Sequence, residues 1–160
     1  MRRPTGETTR RRSVSSAEAA EHTLLLDASV WLASLDSDDR HHDPARRLLE
    51  SAAAGSRLLA ALDLTLYEVA NIAVVRWRSP ADAERLVRLV LLACPTTLER
   101  ADDALLRAAA EVAARRRLTV YDGAYVAAAH RRGWTLVSGD LQGLVEPGLA
   151  VSPAVASTAG

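Results

Sequence analysis

The sequence predicts an α/β fold in which a short parallel sheet of four or five strands is flanked by helices. Short apolar runs recur along the chain, and longer segments with apolar residues at helical spacing lie between them. Buried parallel strands are usually continuous apolar runs, and the connections between them are usually helices. A chain of 160 residues is also long enough to form one domain with a substantial core. These observations together favour a single α/β domain.

Taken in order, the predicted elements begin with a strand, and each of the next three strands follows a pair of helices. The strands are predicted at 24–26, 57–60, 96–98 and 134–137, with a weak fifth strand near 149–151. The helices are predicted at about 28–35, 45–52, 62–77, 80–93, 101–117 and 122–132. Apolar strands that alternate with helices in this way predict helices on both faces of the sheet.

Residues at the predicted helix ends support these boundaries. Ser79 and Pro80 are typical of a helix cap and a first helical turn. Gly55 and Gly133 follow the last residues with helical periodicity in their segments. The arginines at 115–117 would lie at a helix C-terminus, where positive charge is favourable.

Composition divides the chain into three regions. Residues 1–22 are rich in Arg, Ser, Thr and Glu without hydrophobic periodicity, which predicts a disordered, Arg-rich N-terminal arm. Residues 23–152 form the predicted folded domain, and residues 153–160 are predicted to be a flexible tail. The formal net charge is zero, and residues 1–12 carry five Arg and one Glu, so the remainder has a net charge of about −4. An acidic folded part is unusual for a simple nucleic-acid-binding module.

Several function classes are excluded by composition. All 20 basic residues are Arg, so the chain has no lysine for a P-loop, a Schiff base or a phosphorylated receiver domain. A glycine-rich dinucleotide-binding turn is absent as well. Cys94 is the only cysteine, which excludes an intramolecular disulfide and predicts a cytoplasmic protein. No apolar run approaches the roughly 18 to 20 residues that a membrane span requires, so no membrane association is expected.

Four carboxylates lie where strands and helices meet at one edge of the predicted sheet. Asp27 directly follows the first strand, and Asp140 lies just beyond the strand 134–137. Glu68 lies in the helix after the second strand, and Asp122 lies at the start of its helix. Ligands of open α/β sheets bind beyond the carboxyl ends of the strands. We therefore expect the four carboxylates to converge there.

Each acid alone also has a structural interpretation. Asp27 or Asp122 could cap a helix, and Asp140 could be a turn residue. Glu68 is harder to explain in this way, because apolar neighbours surround it and an unpaired buried carboxylate is costly. Clustered carboxylates repel one another unless a cation compensates, and all-oxygen sites suit Mg²⁺ and Mn²⁺. The joint pattern therefore predicts a divalent metal site, which is suited to orienting phosphates and activating water.

Three segments carry a family resemblance: LLLDASVWLA, LTLYEVANIAVV and LTVYDGAYVAAAHRRGWTLVSGD. They resemble the PIN-domain family and, within it, the VapC-type toxins of bacterial toxin–antitoxin pairs. The four acids stand at the acidic positions of that family, and Ser138 stands where the family has Thr or Ser near the last acid. The resemblance extends from about residue 24 to residue 151.

The resemblance implies a PIN-like three-layer fold and a Mg²⁺- or Mn²⁺-dependent endoribonuclease that acts on structured RNA such as tRNA or rRNA. It also implies a homodimer and a small antitoxin whose C-terminal segment covers the active-site groove. Carried onto this sequence, Asp27, Asp122 and Asp140 would bind the metal directly or through water. Glu68 would complete the acidic pocket and orient or deprotonate the attacking water.

The resemblance also implies supporting residues. Ser138 and Ser29 would donate hydrogen bonds near the metal or the scissile phosphate. Asn71, one turn after Glu68, would either support the site or simply pack on the helix. The sequence departs from the family in its N-terminal arm and in a loop after Asp140 that lacks the basic residue often found there.

Two other functions remain open from the sequence: a non-catalytic PIN-like domain that binds RNA or a partner, and an RNA-processing nuclease that is not a toxin. His41 and His42 are interpreted as part of a solvated turn. A set of four arginines on two neighbouring helices is either a strip that contacts RNA phosphates or a solvated surface. These are Arg76, Arg78, Arg85 and Arg88.

Overall fold

The computed structural model describes residues 23–159 and confirms the predicted α/β class. The predicted N-terminal arm, 1–22, lies outside the described residues. The strands are β1 (Thr23–Leu26), β2 (Leu58–Leu62), β3 (Leu98–Glu99) and β4 (Thr135–Val137). The helices are α1 (Ala28–Ala33), α2 (His42–Ala53), α3 (Asp63–Val75), α4 (Pro80–Ala93), α5 (Asp103–Arg116), α6 (Val120–Arg132) and α7 (Pro153–Thr158), with a π-helical turn at Leu141–Val145. None of the helices in the described part of the chain is long and apolar enough to cross a membrane.

The four strands form one parallel sheet in the order β3-β2-β1-β4. The chain builds the sheet outward from β1 to β3 and then returns to add β4 on the other side of β1. This reversal of direction is a topological switch point, the place where such sheets bind ligands. The predicted weak fifth strand is a single parallel bridge between Val137 and Val151.

Alternate strand residues face two separate hydrophobic cores. Leu24 and Leu26 of β1 lie in the core formed with α1 to α4, whereas Leu25 lies in the core formed with α5 and α6. Trp31 of α1 is completely buried in the first of these cores. The sheet is therefore the middle layer of three, as the predicted architecture requires.

The close packing of α5 and α6 depends on Gly123. A Cβ atom at position 123 would lie 2.4 Å from the carbonyl oxygen of Ala109 and 3.3 Å from the Cβ of Ala113. The first of these distances is well below van der Waals contact, so a side chain there would push the helices apart. Because Asp122 is the neighbour of Gly123, this contact fixes the first turn of α6, which carries one of the four acids.

Two helix ends differ from the prediction. The helix predicted to begin at Asp122 begins at Val120, with Thr119 as its cap, so Asp122 lies within the first turn. The first helix ends at Ala33, two residues before its predicted end at Leu35. A threonine followed three residues later by an acid is itself a helix-start signal, which the prediction did not use.

The predicted flexible tail is wrong for residues 153–158, which form α7 and pack against α2. Ser152 caps this helix, and Pro153 occupies its first turn. Ala156 is 3% exposed and belongs to the same core as Ala45 and Leu48 of α2. Such a short helix is unstable alone and gains its stability from tertiary packing, which local sequence does not reveal.

A buried charge at the α7 contact should therefore destabilise the fold. We expect Ala156→Asp to lower the free energy of unfolding by about 2–5 kcal/mol, because it places an unpaired carboxylate in an apolar core. Ala154→Asp introduces the same group on the exposed side of α7 and should have little effect. Urea unfolding of both variants measures the difference. Equal stability of the two would show that α7 does not contribute to the core.

Candidate active site

Asp27 joins the carboxyl ends of β1 and β4. Its backbone N–H donates a hydrogen bond to the carbonyl of Val137, 3.1 Å away, and its side chain caps α1 by accepting one from the N–H of Val30, at 3.3 Å. The hydroxyl of Ser29 donates to Asp27 Oδ1 at 2.5 Å and accepts a hydrogen bond from the N–H of Gly139 at 2.8 Å. Ser29 thus connects the first acid to the loop that carries the last one.

Glu68 is held by a tyrosine on the opposite side of the sheet edge. The hydroxyl of Tyr125 lies 2.6 Å from Glu68 Oε2, to which it donates, and 2.9 Å from the hydroxyl of Thr65. Thr65 in turn accepts a hydrogen bond from the N–H of Leu62 at the end of β2, at 3.2 Å. Thr65 and Tyr125 are almost completely buried, so they hold the Glu68 carboxylate from its core side.

Asp122 lies in the first turn of α6, where its side chain is held by the helix cap. The hydroxyl of Thr119 donates to Asp122 Oδ2 at 2.6 Å, and the Asp122 N–H donates back to that hydroxyl at 3.1 Å. Asp122 is therefore not the cap itself, which removes one of its alternative interpretations. The N-terminal end of a helix also favours negative charge.

Asp140 begins the π-helical turn after β4. Its side chain accepts a hydrogen bond from the N–H of Gly143 at 3.0 Å, and a Cβ at position 143 would lie 2.2 Å from Asp140 Oδ2. Its own N–H donates to the hydroxyl of Ser138 at 3.0 Å. Ser138 is completely buried and also hydrogen-bonds the Asp27 carboxylate, so it links the first and last acids.

The charges of three of the acids act on one another. Burial raises the pKa of the Asp27 carboxyl, although hydrogen bonds from Ser138, Ser29 and Val30 oppose the increase. Burial also raises the pKa of Glu68, the hydrogen bond from Tyr125 lowers it, and the charges of Asp27 and Asp122 raise it further. Glu68 therefore interacts electrostatically with both Asp27 and Asp122, and we call these three residues the acid cluster.

No Arg or His in the described part of the chain compensates the acid cluster. Within residues 23–159, no Arg or His forms an ion pair with Asp27, Glu68, Asp122 or Asp140. The groups that hold these carboxylates are neutral hydroxyls and backbone N–H groups. Carboxylates that repel one another and lack a basic partner match the oxygen-rich ligand set that Mg²⁺ and Mn²⁺ prefer.

The four acids are not arranged as a complete set of metal ligands. In the part of the chain that the structure describes, no group of three or more His, Cys, Asp or Glu side chains could hold an ion as arranged. Asp140 is exposed, whereas Asp27 is buried, so the predicted ligands lie at different depths. The donor types fit a divalent ion, although the four side chains as arranged do not surround one.

The remaining residues singled out from the sequence differ in their relation to the acids. Asn71 is exposed on α3 and makes no described contact with the acids, so its supporting role stays a prediction. His41 is half-buried beside Gly139, where a Cβ would lie 3.4 Å from its ring. Of the four arginines, Arg85 and Arg88 pair with acids of their own helix, which favours a solvated surface for that half of the strip.

Tyr125 and Thr65 were not identified from the sequence. Tyr125 follows Asp122 by three residues, a helical spacing that places both near the same side of α6. That spacing was available as a signal. The contact with Glu68 joins residues 57 positions apart, and only the tertiary structure reveals it.

The family model for the PIN domain matches residues 24–144, and that range contains all four acids. The chain belongs to the PIN domain family. PIN domains are generally nucleases and typically use a divalent metal. None of the curated proteins compared with the sequence matches it.

Solved structures with a similar fold include several from toxin–antitoxin systems. PAE2754 from Pyrobaculum aerophilum is 26% identical, with a TM-score of 0.61, over 85% of this PIN domain chain and 94% of that chain. VapC20 from Mycobacterium tuberculosis, a toxin that cleaves the sarcin–ricin loop, is 19% identical with a TM-score of 0.60, over 78% and 95% of the two chains. FitAcB from Neisseria gonorrhoeae is 17% identical with a TM-score of 0.56, over 84% and 93%. The last two likenesses establish the fold of the PIN domain only.

The buried charge of Asp27 should cost stability in the metal-free protein. We expect Asp27→Asn to raise the free energy of unfolding at neutral pH, because Asn keeps the cap and removes the buried charge. The folded-state pKa lies above the ordinary value of 3.8, so stability is lost as pH rises from that value through the folded pKa. The advantage of the variant over wild type should therefore grow across that range and then level off.

Urea unfolding in EDTA at a series of pH values measures this difference. Asp38→Asn, at an exposed position of the turn before α2, is the matched control and should follow wild type. An Asp27→Asn protein that is less stable than wild type at neutral pH would contradict the assignment of Asp27 as a buried carboxylate whose charge destabilises the fold.

Proposed function

We propose that this PIN domain is a Mg²⁺- or Mn²⁺-dependent endoribonuclease that hydrolyses phosphodiester bonds in structured RNA, with tRNA or rRNA as substrate. One observation carries the proposal. The charges of Asp27 and Asp122 both act on Glu68 at the switch point of the sheet, and no Arg or His in residues 23–159 forms an ion pair with any of the three. An arrangement that costs stability and has no internal partner is typical of a functional site.

Asp27, Asp122 and Asp140 would hold the metal, directly or through water. The metal, when bound, supplies charge neutralisation at the scissile phosphate and lowers the pKa of a bound water. Glu68 is fixed by Tyr125 with one oxygen, Oε2, and its other oxygen is available to orient or accept a proton from the attacking water. Ser29 and Ser138 keep Asp27 and the loop of Asp140 in register.

The open edge of the sheet suits a polymeric substrate. A cavity of about 720 Å³ lies between α5 and α6, lined by apolar residues such as Leu105, Val112 and Val126, and none of the four acids lines it. The acids instead lie at the surface edge formed by the ends of β1 and β4 and the starts of α3 and α6. An RNA strand can reach such an edge without having to enter a closed pocket.

We further propose that the protein acts as the toxin of a type II toxin–antitoxin pair, as a cytoplasmic homodimer. The fold is shared with VapC20 and with a toxin–antitoxin complex from Klebsiella pneumoniae. A small antitoxin would then occupy the open edge and cover the acids. Exposed apolar residues on α3, which include Val74 and Val75, are consistent with a protein contact.

Loss of single acids should abolish RNA cleavage. We expect wild type to cut total tRNA or rRNA only when Mg²⁺ or Mn²⁺ is present, and Asp27→Asn and Asp122→Asn to reduce the rate at least about 100-fold, since each removes a ligand. Asp103→Asn, in the first turn of α5, is a matched control for Asp122→Asn and should cut normally. Gel analysis of the products, with circular dichroism of each variant, gives the measurement.

Wild type that leaves every RNA intact, in a preparation free of any copurified protein, would contradict the nuclease assignment. RNA binding without cleavage in that case would favour the non-catalytic alternative. Cleavage that is insensitive to both substitutions would contradict the assigned residues. Cleavage without growth arrest on expression would favour an RNA-processing nuclease.

Metal binding has a readout that does not depend on cleavage. Mg²⁺ or Mn²⁺ should raise the melting temperature of wild type, because the ion binds the folded acid cluster and not the unfolded chain. Asp122→Asn should show a smaller increase than the Asp103→Asn control at the same ion concentration. Equal increases in both variants would contradict Asp122 as a ligand.

A further inference from the structure

Two exposed tyrosines border the acid cluster. Tyr67 is 77% exposed and directly precedes Glu68, and Tyr121 is 62% exposed and directly precedes Asp122. Tyrosine is intermediate in its tendency to be buried, and rings as exposed as these two present apolar faces that a ligand can contact. Neither is used by the proposed chemistry.

Their placement relative to the site follows from the described contacts. Tyr121 lies one helical turn before Tyr125 on the same face of α6, and Tyr125 donates its hydroxyl to Glu68. Tyr67 lies on the exposed side of α3, next to the residue that receives this hydrogen bond. Glu68 on α3 and Asp122 on α6 are close enough for their charges to interact. Tyr67 and Tyr121 therefore lie on the two helices that carry these acids.

The loop that follows the last acid offers no positive charge for holding a polyanion. Residues 139–151, which follow β4, contain no Arg, Lys or His. Arg85 and Arg88 are paired with Asp82 and Glu84, respectively. Contacts to phosphate normally dominate RNA affinity, so a strand that lies along this loop needs another source of affinity there. Stacking of unpaired bases on aromatic rings supplies it without any charge.

We propose that Tyr67 and Tyr121 are base-stacking residues that hold unpaired nucleotides on either side of the scissile phosphate. This inference rests on the proposed function, and it specifies the substrate as a single-stranded segment such as a loop. A duplex presents its base faces only to neighbouring bases, so it cannot stack on these rings. Tyr67 and Tyr121 thus select unpaired RNA, and the acid cluster cuts between the held bases.

The test compares RNAs that differ only in their bases, in EDTA so that binding is separated from cleavage. The probes are a labelled RNA single strand of about ten nucleotides, the matching duplex and an abasic strand of equal length. Fluorescence anisotropy should show that wild type binds the single strand more tightly than the other two. Tyr67→Ala and Tyr121→Ala should each weaken binding of the single strand roughly 5- to 150-fold and leave binding of the abasic strand unchanged.

Conservative and remote variants separate stacking from other effects. Tyr67→Phe and Tyr121→Phe should keep wild-type affinity, because a ring without its hydroxyl still stacks, whereas Tyr67→Leu should not. Leu92→Ala, at a 73% exposed position of α4, is the control for loss of an exposed apolar side chain and should bind as wild type. Light scattering of Tyr67→Ala and Val74→Ala checks whether the exposed face of α3 is instead a contact between protein chains.

Three results would overturn the inference: equal wild-type affinity for the single strand and the abasic strand, Ala variants that bind like wild type, or a lower molar mass of Tyr67→Ala. Cleavage assays with Mg²⁺ on the same proteins distinguish this failure from failure of the proposed function. Wild-type cleavage with unaffected Ala variants would overturn the stacking role alone. Base-dependent binding with no cleavage would keep the stacking role and overturn the nuclease.

Discussion

The parallel pairing of β1 with β4 is the constraint on which the site depends. β4 is the last strand in the sequence, yet it lies beside the first, with Leu26 opposite Val137. The hydrogen bond from the Asp27 N–H to the Val137 carbonyl closes this pairing at its carboxyl end. Residues that are more than 100 positions apart in sequence, such as Ser29 and Gly139, are then close enough for a direct hydrogen bond of 2.8 Å. Without this pairing, Asp27 and Asp140 would not be brought to the same edge of the sheet.

The two hydrophobic cores provide stability that offsets the unfavourable burial of the carboxylates at that edge. Burial raises the pKa of Asp27, and burial together with the charges of Asp27 and Asp122 raises the pKa of Glu68, so each carboxylate disfavours the folded state at neutral pH. Neutral donors reduce this cost without removing it, since Ser29 and Tyr125 supply hydrogen bonds and no charge. Fully buried apolar residues on both faces of the sheet provide the surplus stability that such a site needs.

Local patterns in the sequence were sufficient for the class of fold, the order of the elements and the position of the four acids. Apolar strands and helical periodicity depend on near neighbours, and family motifs depend on short segments. The role of α7 was missed because its stability comes from contacts with α2, more than 100 positions away. The hydrogen bond between Tyr125 and Glu68 was missed for the same reason, since nothing near either residue specifies the other. The exposure of Asp140 likewise depends on the π-helical turn Leu141–Val145, in which Gly143 contacts the Asp140 side chain.

A second buried acid in the same chain shows what a structural carboxylate looks like here. Glu99, at the end of β3, is only 4% exposed, and both Arg131 and Arg132 donate hydrogen bonds to it, the latter through Nε at 2.8 Å. Burial of an ionised carboxylate is tolerated when a cation and good hydrogen bonds accompany it. The chain thus supplies arginines where a carboxylate serves only the fold. Asp27, which follows β1 two strands away from β3, is buried to a similar degree and has hydroxyl and backbone partners but no cation within residues 23–159. The difference between these two environments, rather than burial or acidity alone, is the physical argument that supports the proposal of a bound ion as the positive partner of Asp27.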